Sequence, residues 1–437
     1  MAKKPTKIEV RSYQVGFGDC FLLSFIYTAK DKRHILIDFG TTGLPKGKAP
    51  KTHMPRLARQ IAADCGGKLT AVVATHRHAD HISGFGTDGR TGKSGKIIRA
   101  LKPKLVIQPW TEDPRAAKNA KRATTDSARS PKGFVASLAA MNTVAETVCR
   151  LADSRPAWMG AELTRELQFL GMDNIANRWA IENLIAMGEA RGAKAAWLRH
   201  GSNSGLGRLL PGVKVHVLGP PSLDQSEKIR IQRSRDVDQF WHLLAGPPAL
   251  QARAPLANGL PARKRASKPA PAEARWFRDR LQRLRGAQLL EVVRSLDDQM
   301  NNTSVILLFE VGRKKLLFPG DAQIENWSYA LEEAPNHKNT RKLLADVDFY
   351  KVGHHGSLNA TPKKLLWEGF KKRGAGKGLI TMLSTLPGKH GKPRNNTEVP
   401  RKPLLKALET ESELRNTNNP NHFKKDDKLR ITVELSV

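Results

Sequence analysis

The chain predicts a mixed α/β fold whose strands end on polar, chemistry-bearing residues, and three observations carry that expectation. First, short apolar runs at residues 13–15, 20–25, 34–38 and 69–74 are separated by turns. One amphipathic pattern, Leu57, Ile61 and Ala62 against Arg56, Arg59 and Gln60, lies between residues 55 and 63. The opening is therefore β-β-β-α-β. Second, residues 303–319 read as a β-hairpin turning at Gly312-Arg313, with both strands largely buried. A helix over 322–333 and a strand over 347–352 follow. Third, three of these strands stop just before Thr75-His76-Arg77-His78-Ala79-Asp80-His81, Gly320-Asp321 and His354-His355-Gly356-Ser357.

Between those core segments the texture changes. Residues 115–132 are basic and alanine-rich, and helical patterns follow at 141–151 and 162–170. The strand pattern resumes at 213–218, closed by Gly219-Pro220-Pro221, and breaks again into a proline- and alanine-rich stretch over 246–272 that holds Arg253, Arg263, Lys264, Arg265 and Lys268 without an acidic residue. A helix over 273–296 presents Arg275, Arg278, Arg283 and Arg285. The expected organisation is thus core at 1–108, 211–222 and 301–437. A basic helical insertion over 109–210 and a Pro/Ala/Arg-rich linker with its helix over 223–300 interrupt it.

The chain has 437 residues, enough for a sizeable core and for more than one domain at about 100–200 residues each. Lys and Arg total 74 against 41 Asp and Glu, a formal net charge of +33. Such a field attracts polyanions before any specific contact forms, and nucleic acid is the first expectation. The linker residues Arg263, Lys264 and Arg265 and the helix residues Arg275 and Arg278 are the candidate phosphate contacts. No apolar stretch approaches the roughly 18 residues of a membrane span, and the N-terminus carries no apolar signal segment. The three cysteines, Cys20, Cys65 and Cys149, show no CxxC spacing, so neither a disulfide framework nor a cysteine zinc site is expected and a reducing cytoplasm fits.

His76, His78, Asp80 and His81 fall within six positions, and five of the chain's 13 histidines sit there and at His354-His355. Imidazole nitrogens and carboxylate oxygens suit zinc or manganese, and ligands at i, i+2, i+4 and i+5 off a strand end can face two adjacent cations. Strand ends that converge on one edge bring Asp321 and the second histidine pair to the same place. The expected cofactors are two divalent metal ions.

The His-x-His-x-Asp-His run resembles the signature of the metallo-β-lactamase superfamily. The resemblance extends to its ComEC-type branch, named for competence proteins. The matching segments run in family order: Val15-Gly16-Phe17-Gly18-Asp19-Cys20, Leu36-Ile37-Asp38-Phe39-Gly40, the histidine motif, Val217-Leu218-Gly219-Pro220, Asn301-Asn302-Thr303-Ser304, Phe318-Pro319-Gly320-Asp321 and Lys351-Val352-Gly353-His354-His355-Gly356-Ser357. They cover both ends of the chain but neither insertion. The resemblance implies a four-layered αββα sandwich, with His76 and His78 on one metal, Asp80 and His81 on the other, and Asp321 between. One of His354 and His355 completes the second site. His354, the first after the strand, is the favoured ligand, which leaves His355 as a proton donor or phosphate contact. A middle-strand histidine often completes the first metal. Here His216 and His200 are weak candidates, with water or Asn302 as substitutes. Lys392 stands where the branch usually has the histidine of a Gly-His-Pro, a departure that leaves His390 as a neighbour of that loop.

Asp38 ends its own strand, and its carboxylate is expected to accept the far N–H of a ligand imidazole, with Asp19 in a similar place. Two bound cations acidify a water and clamp the oxygens of an in-line displacement at phosphorus. Asp80 is then expected to orient the nucleophile, and His355 or Ser357 to meet the phosphoryl charge. Basic charge with such a centre predicts a nuclease or phosphodiesterase. A hydrolase of a small phosphoester or cyclic nucleotide, and a nucleic-acid-binding subunit of a larger complex, are the alternatives.

Overall fold

Neighbouring residues of the central strands are all apolar, and in a strand neighbours point to opposite faces, so these strands must be covered on both sides. The computed structural model of the chain, which describes residues 3–87, 92–113, 178–222, 224–226, 228, 239, 301–391 and 397–437, shows how. In the first sheet, β1 (Lys7–Tyr13), β2 (Cys20–Ile26), β3 (Lys32–Phe39), β4 (Ala71–Val73), β5 (Leu105–Pro109) and β6 (Lys194–Leu198) are joined at the β1 edge by β13 (Arg430–Ser436), giving the order β13-β1-β2-β3-β4-β5-β6. The pairs from β13 to β3 are antiparallel and those from β3 to β6 parallel. In the second sheet, β7 (Val213–Gly219), β8 (Ile306–Val311), β9 (Lys314–Phe318), β10 (Phe349–Lys351), β11 (Ile380–Leu383) and β12 (Glu413–Asn416) run in the order β12-β11-β10-β9-β8-β7. Its β9 to β12 pairs are parallel.

Phe21, Leu23 and Phe25 of β2 share one apolar cluster with Leu307 and Phe309 of β8 and Phe318 of β9, so the two sheets bury these faces against each other. The Phe21 and Phe318 rings are 5.9 Å apart and the Phe25 and Phe309 rings 5.8 Å. The intervening residues face outward. Leu22, Leu36, Val72 and Val106 pack with α1 (Pro50–Asp64) through Met54, Leu57 and Ile61. On the far side, Ile306, Leu308 and Leu317 pack with Trp327, Leu344, Leu404 and Leu408 from the C-terminal helices. The protein is therefore a mixed α/β structure with two mixed sheets and helices.

The β-β-β-α-β opening and the hairpin turning at Gly312-Arg313 are present as expected, with two differences. The first helix starts five residues earlier, because Pro50 rather than Pro55 takes the first turn, where a missing N–H costs nothing. The span 109–210 is not an insertion throughout. Its last part supplies a helix, Arg178–Gly188, and strand β6, which pairs with β5 from Leu105↔Lys194 to Pro109↔Leu198. Lys-Ala-Ala-Trp-Leu is a half-buried edge strand, and two alanines in a short run carry little strand signal. The helical patterns at 141–151 and 162–170, and the linker and helix within 223–300, lie outside the described residues. Among the described residues no helix is long and apolar enough to cross a membrane.

One buried group away from the strand ends gives the fold a pH dependence. His34 of β3 is 7% exposed and lies 2.9 Å from Ser24 Oγ through Nδ1. Burial, with the Arg11 and Lys32 charges adding to it, pulls its pKa down to about 4. Because the unfolded value is higher, near 6.5, the unfolded chain takes up the extra proton first. The contribution to stability is complete above about pH 6.5 and is lost as the pH falls towards about 4, roughly 3 kcal/mol in all. Urea titrations at a series of pH values should show wild type losing roughly 3 kcal/mol more than His34→Gln over that window. Parallel losses in the two proteins would remove His34 as the cause.

Candidate metal centre

Parallel strands deliver the polar loops to one edge. After β4 the chain passes through Thr75 to His78 and turns into the short helix Ala79–Ile82. After β9 comes Asp321, and after β10 the turn Gly353–Gly356. β2 runs the other way, so its start, preceded by Asp19, lies beside Phe39 at the end of β3. The backbones are crowded there. A Cβ on Gly40 would lie 2.4 Å from the Asp80 carbonyl carbon and the His81 nitrogen, and Gly18, at φ +150°, admits only 2.7 Å to the Asp80 oxygen. The glycines flanking these loops thus have a steric reason to be glycine.

Three sets of side chains place ligand atoms within 4.8 Å of one another: His76, His78 and Asp80; Asp80, His81, Asp321 and His355; and Asp19, Asp38 and His81. All are buried. His76 Nε2 lies 3.0 Å from His78 Nδ1, His81 Nε2 lies 3.0 Å from Asp321 Oδ2, and His355 Nε2 lies 3.0 Å from Asp80 Oδ2. Two ligand atoms each about 2.0–2.1 Å from a tetrahedral zinc ion are roughly 3.3 Å apart, so these spacings fit shared cations. Asp80 Oδ1, Asp321 Oδ2 and His81 Nε2 are buried without a hydrogen bond, as atoms facing a metal would be. The residues present fit divalent cations.

The tautomers follow from the surrounding hydrogen bonds. Thr75 donates its hydroxyl proton to Asp38 Oδ2 at 2.8 Å, because an ionised carboxylate only accepts. The Thr75 oxygen is then free to accept from His76 Nδ1 at 3.2 Å, which turns the His76 Nε2 lone pair towards His78. His81 Nδ1 donates to Asp38 Oδ2 at 2.8 Å, and its Nε2 faces Asp321. Asp38 thus accepts from a candidate ligand histidine and also from the Thr75 amide at 2.7 Å. Asp19 lies behind the same imidazole, 3.7 Å from His81 Nδ1, and 3.6 Å from His355 Nδ1.

The electrostatics are those of a compact anionic cluster. Burial alone would lower the His81 pKa, but Asp321, Asp38 and Asp80 outweigh it and hold it well above the ordinary value. His355 is likewise raised against burial, by Asp321, Asp19 and Asp80. His76 goes the other way, pulled well down by burial and by the charges of His81 and His78. Asp321 and Asp80 are held low despite burial, chiefly by His81.

The structure corrects the expected split of the second histidine pair. His355 is fully buried, donates from Nδ1 to the Ser384 carbonyl at 2.9 Å and belongs to the Asp80, His81 and Asp321 set. His354 does not belong to it; its side chain is 26% exposed and its Nε2 lies 3.7 Å from Asp321 Oδ2. The reason lies in the backbone. His354 and His355 both take left-handed conformations, at φ +43° and +52°, so being first after the strand does not aim a side chain inward. A second correction concerns the shared carboxylate. Asp80, and not Asp321, is common to the two sets that contain the His76 pair and His355.

The remaining candidates separate. His216 pairs with Glu310 Oε2 at 3.0 Å on β7 and is a strand histidine in no ligand set. His200 contacts the Leu218 carbonyl at 2.8 Å and Asn336 Oδ1 at 3.2 Å. Asn302 is buried and accepts from Asn326 Nδ2 at 3.1 Å, and is in no set either. Ser357 is buried and its amide donates to the His354 carbonyl at 2.8 Å. His390 is kept from His355 by Phe17, whose ring is 4.5 Å from one and 4.4 Å from the other. Arg263, Lys264, Arg265, Arg275, Arg278 and Lys392 lie outside the described residues.

Sequence reasoning gave no role to Thr75 or Lys351. Lys351 is 2% exposed, its ammonium pairing with Asp19 and lying 3.4 Å from Asp321 Oδ1. Its signal was present, as a charged residue closing the buried strand Phe349-Tyr350-Lys351. A scan against protein-family models and a search of curated proteins return no match to this chain.

Proposed function

We propose that this chain is a metal-dependent hydrolase of the metallo-β-lactamase superfamily, close to its ComEC-type branch, that cleaves phosphodiester bonds of DNA or RNA. The observation that carries the reading is the pair of buried ligand sets sharing Asp80, at the converging ends of β4, β9 and β10. Two face-to-face sheets with helices packed on their outer sides support the αββα sandwich expected of that superfamily. The net charge of +33 favours a polyanionic substrate over a neutral lactam or thioester.

In this reading His76, His78 and Asp80 would hold one cation, and Asp80, His81, Asp321 and His355 the other. When bound, the cations supply an acidified water and Lewis-acid polarisation of the phosphoryl group. The protein's own groups do the rest. Asp80, beside the site of attack, would orient the attacking water. Asp38 and Thr75 keep His81 and His76 in the tautomers that leave Nε2 available. His354, partly exposed beside Asp321, takes the role first expected of His355, meeting the phosphoryl charge or giving a proton to the leaving oxygen, with Ser357 three residues further on.

Removing the buried ligand should cost a whole cation, while removing its partly exposed neighbour should not. His355→Ala should bind one equivalent of Mn²⁺ where wild type binds two, and His354→Ala should keep both. Metal analysis after desalting checks this, and the reverse pattern would restore His354 as the ligand. The reaction class is tested by hydrolysis of bis(p-nitrophenyl) phosphate beside a p-nitrophenyl carboxylic ester and a chromogenic β-lactam. Turnover of the phosphodiester alone supports the reading, and turnover of the lactam or carboxylic ester alone contradicts it.

A further inference from the structure

We infer that Lys351 is a positioning residue that dedicates Asp321 to a single cation, by holding one carboxylate oxygen so that only the other faces the histidines. This rests on the two-cation reading. The two oxygens of Asp321 have separate surroundings. Oδ1 lies 3.4 Å from Lys351 Nζ. Oδ2 lies 3.0 Å from His81 Nε2 and 3.7 Å from both His354 Nε2 and His355 Nε2.

The ammonium is itself fixed from three directions. It donates to the Gly320 carbonyl at 3.0 Å, pairs with the Asp19 carboxylate and reaches Asp321. Asp19 is tied in turn to the histidine loop, its amide donating to the Asp80 carbonyl at 2.8 Å. The Asp321 amide donates to Ser304 Oγ at 3.2 Å, which steadies the backbone but leaves carboxylate rotation to be limited by Lys351. Lys351 follows the fully buried Phe349 and Tyr350 and is itself 2% exposed. A buried ammonium is costly unless its partners are well placed, and these partners all belong to the candidate centre. The split also accounts for Asp80, and not Asp321, being the carboxylate common to both ligand sets: one Asp321 oxygen is already engaged.

Two roles for the lysine predict opposite signs. If it merely offsets negative charge, its removal leaves a more negative pocket and cations bind more tightly. If it aims Asp321, its removal weakens the cation held by Asp321, by about 10- to 100-fold as for other outer partners of metal ligands, despite the gain in negative charge. The experiment is calorimetric titration of metal-stripped protein with Mn²⁺, comparing wild type with Lys351→Met. Because Lys351→Met strands the buried Asp19 charge, Asp19→Asn is also compared with Asp19→Asn/Lys351→Met, a pair that folds without an orphaned carboxylate. The expected result in either comparison is one cation at unchanged affinity, an internal sign of intact folding, and the other weakened about 10- to 100-fold. Unchanged or tighter binding of both cations would overturn the role of Lys351. A wild-type protein that binds fewer than two cations would overturn the two-cation reading instead.

Discussion

Replacing Asp80 and His81 together by alanine should abolish phosphodiester hydrolysis, with a loss on the order of 10³- to 10⁴-fold in kcat/KM or more. The size of the effect follows from geometry. Asp80 belongs to both buried ligand sets, and His81 ties the second of them to Asp38 and Asp321. His216, His200 and Asn302 are each engaged elsewhere and do not stand in for it. The double substitution removes an anion and its raised-pKa imidazole together, but it takes the His81 partner from the buried Asp38 and Asp321, so folding is checked directly. Circular dichroism and a urea midpoint establish that the variant is folded, and steady-state hydrolysis of bis(p-nitrophenyl) phosphate reads the loss. A folded variant retaining a tenth of wild-type activity would remove Asp80 and His81 from the chemistry.

The second large effect is on binding. A chain with 74 Lys and Arg against 41 Asp and Glu and only 6% aromatic residues should hold nucleic acid by its phosphates and not by stacking or base edges. Each neutralised phosphate releases counterions, so a protein making about 6–10 such contacts loses about 10³- to 10⁵-fold in affinity between about 50 and about 200 mM salt. Fluorescence anisotropy of labelled oligonucleotides should show that steep dependence and little sequence preference. Alanine at Arg263, Lys264, Arg265, Arg275 and Arg278 should lower the slope of log K against log salt by up to about 4–5 and leave the metal content unchanged. A flat salt dependence would sink the polyanion reading and leave the small phosphoester as the better substrate.

What was legible in the sequence was what period and strand ends encode. Apolar runs at 20–25 and 305–309 mark strands, and the structure divides their successive residues between separate apolar layers. Asp38, the His76 to His81 loop and Asp321 stand out in the sequence because each closes an apolar run, and strand ends meet at one edge whatever the sequence distance between them. What was missed depends on properties no such pattern carries. The choice of His355 over His354 is set by two left-handed residues in succession, and backbone handedness does not show in residue type when neither is glycine. The sharing of Asp80 depends on distances across three loops. Strand β6 was read as helical insertion because an edge strand needs little apolar surface, and Lys-Ala-Ala-Trp-Leu shows little. Lys351 does not stand out because a single charge at a strand end is ordinary in sequence, whereas here two carboxylates receive it.

The central claim is that the shared-carboxylate centre cuts nucleic acid, and the most direct measurement is cleavage of labelled single- and double-stranded DNA and RNA by the purified protein. The assay is run with Mn²⁺ or Zn²⁺ and with chelator. The account predicts cation-dependent cleavage of at least one of these substrates, lost in the Asp80→Ala/His81→Ala variant. Protein that carries two cations and binds the oligonucleotides, yet cleaves none of them, would contradict it.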